Sequence, residues 1–334
     1  MADRAARADI DVLGIGNALV DVLSHATDEF LKAQALVKGT MLLIDEPRAH
    51  ALYSAMGPGM EVSGGSAANT IVGVASLGGR AQYIGKVRND QLGEVFSHDL
   101  RATGVGYSTP MATSGPPTGR CLIMVTADAQ RTMGTFLGAS VHLGPGDIDK
   151  RAIERAGIVY LEGYLFDPPE AQEAFRSAAA VAHAAGRKVA LTLSDPFCVD
   201  RHRAAFLDLV EHHVDILFAN EVEICSLYRA GDFDAAVPLV RRHCEVAALT
   251  RSERGSVIVA GDEVHVVAAQ PVATVVDTTG AGDLYAAGFM LGLSRGLSLP
   301  TCGRLGALAA AEAIAHVGAR PMTPLADLAG ALLA

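Results

Sequence analysis

Apolar residues fall along this chain in short unbroken runs, separated by longer Ala-rich stretches with helical spacing. The runs at 9–16 (DIDVLGIG), 81–87 (AQYIGKV), 157–163 (GIVYLEG), 188–194 (KVALTLS), 215–220 (DILFAN) and 246–250 (VAALT) show little polar alternation. Runs of this kind suit strands buried on both faces. Helical spacing occupies 68–77, 92–102, 169–185, 201–212, 221–228 and 233–243. Strands alternating with helices predict an α/β chain whose mostly parallel sheet is covered on both sides. SVIVA (256–260) and EVHVVAA (263–269), parted by Gly261 and Asp262, predict a hairpin. The last third, 282–334, reads as helical. Two segments break the alternation. Residues 17–44 hold short apolar pieces without a crossover, and 118–137 reads as two strands around a turn at Ala127–Gln130. Both predict a small β-sheet outside the main one.

Composition narrows the class. Half of the 334 residues are hydrophobic and 19% are charged, which excludes a disordered chain. No apolar, uncharged stretch reaches the roughly 18 residues of a membrane-spanning helix. The start, MADRAARADI, lacks the apolar core of a secretory leader. A formal net charge of −10 argues against a general nucleic-acid binder but leaves nucleotides open. Cys121, Cys198, Cys225, Cys244 and Cys302 are odd in number and form no CxxC, as expected of reduced thiols in a cytoplasmic protein.

Two glycine motifs carry the chemistry. Asp277-Thr278-Thr279-Gly280-Ala281-Gly282-Asp283 follows a β-rich stretch and opens an apolar helix. Gly280 and Gly282 allow close backbone approach, and the helix N-terminus adds roughly half a positive charge, so the segment predicts an anion site. A carboxylate inside an anion site makes sense where a hydroxyl must lose its proton beside a phosphate. The positive helix end is expected to keep Asp283 ionised, as a base must be. Gly64-Gly65-Ser66-Ala67-Ala68-Asn69 precedes another helical run, where Asn69 offers both a donor and an acceptor to a polyhydroxylated ligand.

GGSAAN followed by DTTGAGD resembles the ribokinase-like (pfkB carbohydrate kinase) family, and the resemblance spans essentially the whole chain. Residues 79–93, Asn220-Glu221-Val222-Glu223 and the Thr250-Arg251-Ser252-Glu253-Arg254-Gly255 loop also look like family elements. Ile71 departs from the small residue common two positions after the motif's Asn. Within the family, Gly16-Asn17-Ala18-Leu19-Val20-Asp21 and the segment 117–137 resemble the adenosine kinase branch.

The resemblance implies one ribokinase-like three-layer α/β/α domain over 1–334, with a small β lid formed by roughly 17–44 and 110–140. It implies transfer of the γ-phosphate of ATP to a primary hydroxyl, with adenosine first and a sugar such as ribose or fructose second. Asp283 would be the base, and Gly280, Ala281 and Gly282 would stabilise charge on the transferring group. Asn17, Asp21, Gly64, Gly65, Ser66, Asn69 and Arg131 would hold substrate or phosphate. As residues, Phe136 and Phe166 suit either stacking on a purine or packing in the core. Asn220, Glu223, Thr250, Arg251, Gly255, Thr278 and Thr279 would serve ATP. Glu223 would reach Mg²⁺ through water, since that ion keeps its hydration. The resemblance also allows a monovalent cation such as K⁺ near 277–283. It permits a monomer or a homodimer joined through the lid.

Other readings compete. Asn220 with Glu223 has the pattern of a helix cap. His212-His213 and His243-Cys244 are adjacent pairs without metal-ligand spacing. Tyr285 and Phe289 lie on an all-round apolar helix and predict core. Gly14-Ile15-Gly16 opens a dinucleotide fingerprint that fails at Leu19, which weakens a nicotinamide-linked oxidoreductase. No Walker A element is present. A non-catalytic nucleoside or sugar sensor would have no use for Asp283.

Overall fold

The computed structural model describes residues 8–128 and 130–333. Residues 1–7, which include most of the stretch read for a leader, and Ala129 in the expected 127–130 turn lie outside them. In chain order the strands are β1 (Ile10–Ile15), β2 (Leu19–His25), β3 (Met41–Leu43), β4 (Gly59–Gly64), β5 (Ala81–Ile84), β6 (Gly106–Tyr107) and β7 (Thr118–Val125). They continue with β8 (Arg131–Gly138), β9 (Ala156–Glu162), β10 (Lys188–Thr192), β11 (Ile216–Asn220), β12 (Val246–Thr250), β13 (Ser256–Ala260) and β14 (Glu263–Val267).

Nine strands form one sheet in the order β14-β13-β12-β11-β10-β9-β1-β5-β6. Pairing is parallel from β12 to β6, and the β12–β13 and β13–β14 pairs are antiparallel. Side-chain alternation divides each apolar run between two layers. On β1, Leu13 and Ile15 face helices that include Pro169–Ala184, Pro196–His212 and Glu221–Tyr228. Val12 faces Ser66–Ser76, Gln91–Ala102, Ala281–Ser294 and Leu299–Ile314. This is the expected three-layer α/β/α sandwich. The helix expected at 201–212 begins at Pro196, where Asp195 caps it by accepting from the Cys198 N–H, and bends at His202.

Five strands form a second sheet in the order β3-β8-β7-β2-β4. Helices Asp28–Ala33 and Glu46–Ala55 cover one face, packing Leu31 and Leu52 against Val22, Leu122 and Met124. The β7–β8 hairpin matches the sequence reading. Strand β4 and helix Glu46–Ala55 fall outside the segments 17–44 and 110–140 expected for this sheet. All five thiols are free, and among the described residues no helix is long and apolar enough to cross a membrane.

Candidate active site

The chain leaves β1 for β5 in one direction and β9 for β10 in the other, so the sheet order reverses between β1 and β9. A crevice opens at the carboxyl ends of strands at such a reversal. Asn17, just after β1, meets Glu162, the last residue of β9. The Asn17 backbone N–H donates to Glu162 Oε1 at 3.3 Å and its Nδ2 donates to the same oxygen at 2.8 Å. Glu162 Oε2 accepts from the Ala67 N–H at 2.8 Å, which fixes the start of helix Ser66–Ser76 to the same carboxylate. Ser140 Oγ donates to Asn17 Oδ1 at 2.8 Å. Asn17 is 2% exposed, and its side chain serves this internal network. Glu162 is 1% exposed, and burial pushes its pKa up to about 7 against the pull of those hydrogen bonds.

Asp283 lies in the first turn of helix Ala281–Ser294. Gly280 before it has φ +78°, and a Cβ there would stand 2.7 Å from the Ala319 Cβ. Only glycine meets both conditions. The two motifs converge on the Asp283 carboxylate: Ser66 Oγ donates to Oδ1 at 2.6 Å and Asn69 Nδ2 to Oδ2 at 3.1 Å. Burial outweighs these donors and the Arg320 charge, raising the Asp283 pKa to about 6. The helix dipole was expected to hold it low; loss of water is the stronger effect. A value near 6 leaves the group mostly ionised at neutral pH and close to the range favoured for proton transfer. The Ala281 N–H turns back to the Thr278 carbonyl at 3.3 Å. A Cβ at Gly282 would meet nothing within 4 Å, so the backbone there faces open space.

The second sheet contributes from above. A Cβ on Gly64 would lie 2.4 Å from the Asp21 Cγ, so the glycine makes room for that carboxylate. Burial lifts Asp21 to about 6, opposed by the charges of Arg320 and Arg131. Arg131, on β8, reaches the anion loop: its Nη2 lies 2.7 Å from Asp277 Oδ2, and its Nη1 donates to Thr279 Oγ1 at 3.3 Å. Both partners of that ion pair are only 8% exposed. Asp277 also holds its own loop, accepting from the Thr279 N–H at 3.0 Å and Oγ1 at 2.8 Å, and from the Gly318 N–H at 2.9 Å.

The expected nucleotide side begins at β11. Asn220 and Glu223 form a closed capping box: Asn220 Oδ1 accepts from the Val222 and Glu223 N–H groups at 2.9 Å, while Asn220 N–H and Nδ2 donate to Glu223 at 2.9 and 2.6 Å. Burial pushes Glu223 up to about 7. Thr250 ends β12, and the Arg251 N–H closes a turn onto the Gly255 carbonyl at 2.8 Å. Arg251 stacks over the Phe233 ring at 4.2 Å and pairs with Glu221 at 3.3 Å. Among the described residues no group of three or more His, Cys, Asp or Glu could hold a metal. Glu223, with both oxygens engaged by Asn220, fits an ion that brings its own water and phosphate ligands.

Of the two readings open for the aromatic candidates, the structure favours packing over stacking on a ligand. Phe166 is fully buried and stacks on Phe206 at 4.5 Å. Phe136 stands an odd number of positions from Arg131 on one strand, so it faces away from the crevice; strand alternation alone predicts this. Two residues escaped the sequence reading. Glu162 ends an apolar run and looks like its boundary. Arg320 sits in Gly318-Ala319-Arg320-Pro321, where no motif marks it. Its Nε donates to Asn69 Oδ1 at 2.8 Å, and its Nη2 donates to the Ser63 carbonyl at 2.9 Å.

Residues 59–326 match the family model described as pfkB family carbohydrate kinase. The chain is 27% identical over 326 residues to an adenosine kinase of Saccharomyces cerevisiae, covering 91% of this chain and 94% of that one. It resembles the crystal structure of an adenosine kinase from Sinorhizobium meliloti, with TM-score 0.90, 52% identity and coverage of 98% and 99%. It equally resembles a probable sugar kinase from Rhizobium etli, with TM-score 0.92, 50% identity and coverage of 98% and 100%.

Proposed function

The chain belongs to the pfkB carbohydrate kinase family and is a phosphotransferase with an alcohol acceptor; on that premise we propose that it phosphorylates the ribose 5′-hydroxyl of adenosine, giving AMP. The observation that carries the reading is the convergence of Ser66 and Asn69 on Asp283 at a helix N-terminus. In this reading Asp283 takes the proton of the hydroxyl as its oxygen attacks the γ-phosphorus of ATP. The bond to the ADP bridging oxygen breaks, and ADP leaves with the electron pair. Gly280 and Gly282 offer backbone N–H groups, Ala281 turns its own N–H back to the Thr278 carbonyl, and the open space at Gly282 suits an approaching phosphoryl group. Such transfer depends mostly on positioning and electrostatics. Arg131, held over the loop by Asp277, is the side chain best placed to follow the transferred charge. Thr278 and Thr279 shape that loop, and Asn220, Glu223, Thr250, Arg251 and Gly255 frame the ATP side.

ATP use follows from the family. Mg²⁺ would neutralise phosphate charge, with Glu223 acting through water, because both of its oxygens already serve Asn220.

A nucleoside is favoured over a free sugar by the face of the second sheet that looks onto the site. Asp21 stands in a cross-strand row with Cys121 and Thr135, and Arg131 pairs with Val125 four positions along. Between them lies the row Leu23, Ile123 and Met133. An apolar row beside a hydroxyl-binding carboxylate suits a purine attached to a ribose. The 50% identity to a probable sugar kinase supports the second reading, a sugar with a primary hydroxyl. ADP release measured with adenosine, inosine, guanosine, ribose and fructose, with Asp283→Asn as control, tests both. Turnover of adenosine is expected, and strong turnover of fructose with none of adenosine overturns the nucleoside reading.

A further inference from the structure

The segment Gly318–Arg320 touches both glycine motifs. The Gly318 N–H holds Asp277, Ala319 packs on Gly280, and Arg320 bridges Asn69 to Ser63 on β4. We propose that Arg320 is a positioning residue for Asp283, holding the Asn69 carboxamide in the orientation that presents its N–H to the base. The inference rests on Asp283 being that base.

A carboxamide can turn about its terminal bond and exchange its oxygen and nitrogen. With Arg320 Nε donating to Asn69 Oδ1 at 2.8 Å, only the Nδ2 is left to face Asp283 Oδ2, at 3.1 Å. The turned amide would set an acceptor against the carboxylate and a donor against the guanidinium. Arg320 therefore selects the productive arrangement without touching the reacting atoms.

Its charge acts in the same sense. Asp21 and Asp283 approach from two elements, and two carboxylates in one crevice raise each other's affinity for protons. Arg320 is the cation that opposes this for both. The titratable groups around Arg320 are Asp21, Tyr83, Asp99 and Asp283. Those around Asp283 include Arg320, Asp21, Glu162, Tyr160 and Tyr164. The chain of contacts extends outward, because the Ser63 N–H donates to Asp99 Oδ2 at 3.0 Å. The end of β4 and the base are thus tied to one guanidinium.

The test compares Arg320→Gln and Arg320→Lys with the wild type, using the best substrate of the ADP-release panel between pH 5 and 9. Arg320→Gln is expected to lower the kcat plateau by about tenfold or more and to move its acidic limb up by about one pH unit. Arg320→Lys keeps the charge and is expected to keep the limb while losing plateau. A limb and plateau of Arg320→Gln superimposing on the wild type overturn the proposal. A crystal structure of Arg320→Gln judges it without any turnover. An Asn69 amide turned or withdrawn from Asp283 supports it, and an unchanged Asn69–Asp283 contact overturns it. Absence of turnover by the wild type on every panel substrate would count against the functional reading and leave this structural arm decisive.

Discussion

The two sheets bury their residues in different ways. The nine-stranded sheet is apolar on both faces, and its central strands carry residues such as Leu161, Leu191 and Leu217 with no exposure. The five-stranded sheet is covered by helices on one face only. Its other face turns Asp21 and Arg131 toward the crevice, and its outer strands leave Met41, Leu42, Leu43 and Met60 exposed. The first sheet is a platform whose packing fixes Asp283 and the loop before it. The second is a cover whose inner face looks onto the crevice. Damage to the platform should therefore appear as lost stability or lost turnover, and damage to the cover as lost recognition.

Asp283→Asn is the strongest break to attempt, because Asp283, the proposed base, stands on the platform. We expect kcat to fall by at least about 10² with substrate affinity and Tm retained; near wild-type turnover would remove Asp283 from the base role. Leu191→Ala, deep in the platform, is expected to cost about 2–5 kcal/mol in urea unfolding while KM for the acceptor stays unchanged. A raised KM there would blur the division between the sheets. On the cover, Arg131→Gln removes a charged contact at the anion loop and is expected to lower kcat/KM by about tenfold or more. Gly64→Ala drives a methyl group toward the Asp21 carboxylate and is expected to raise acceptor KM by about tenfold with little change in Tm. An Ala variant that binds normally would detach Asp21 from recognition.

The smallest effect concerns pH. Asp21 and Asp283 titrate near 6 and Glu162 and Glu223 near 7 in the folded protein, all above their unfolded values. The folded state thus binds more protons than the unfolded chain between about pH 4 and 7, and stability falls as pH rises through that window. The urea midpoint should be higher at pH 5 than at pH 7.5. The reverse order would contradict the raised values.

Legibility followed the same division. The platform strands could be read because burial on both faces leaves continuous apolar runs such as GIVYLEG. The cover could be read in part, from the β7–β8 hairpin and from the apolar pieces at 17–44 that hold β2 and β3. Strand β4, Gly-Met-Glu-Val-Ser-Gly, is an edge strand with a solvent-facing start, and its glycines read as a turn. Helix Glu46–Ala55 buries only Ala49 and Leu52, too little to mark an amphipathic face. The two glycine motifs were legible because their backbone demands are written in glycine. Their convergence on Asp283 could be read only through the family resemblance. Arg320 carries no local mark, since its partners lie at Ser63 and Asn69. Aromatic character alone does not place Phe136 or Phe166, because the face of the strand and the depth of the core decide where a ring points.

The bond between Arg320 and Asn69 joins positions 251 apart in sequence. Chains emerge from the ribosome N-terminus first, and early segments begin to fold before later ones exist. The first glycine motif therefore waits through the synthesis of most of the sheet, with its asparagine unheld. A growing chain therefore lacks the guanidinium that holds Asn69 until residue 320 has been made, so this contact forms only near the end of synthesis.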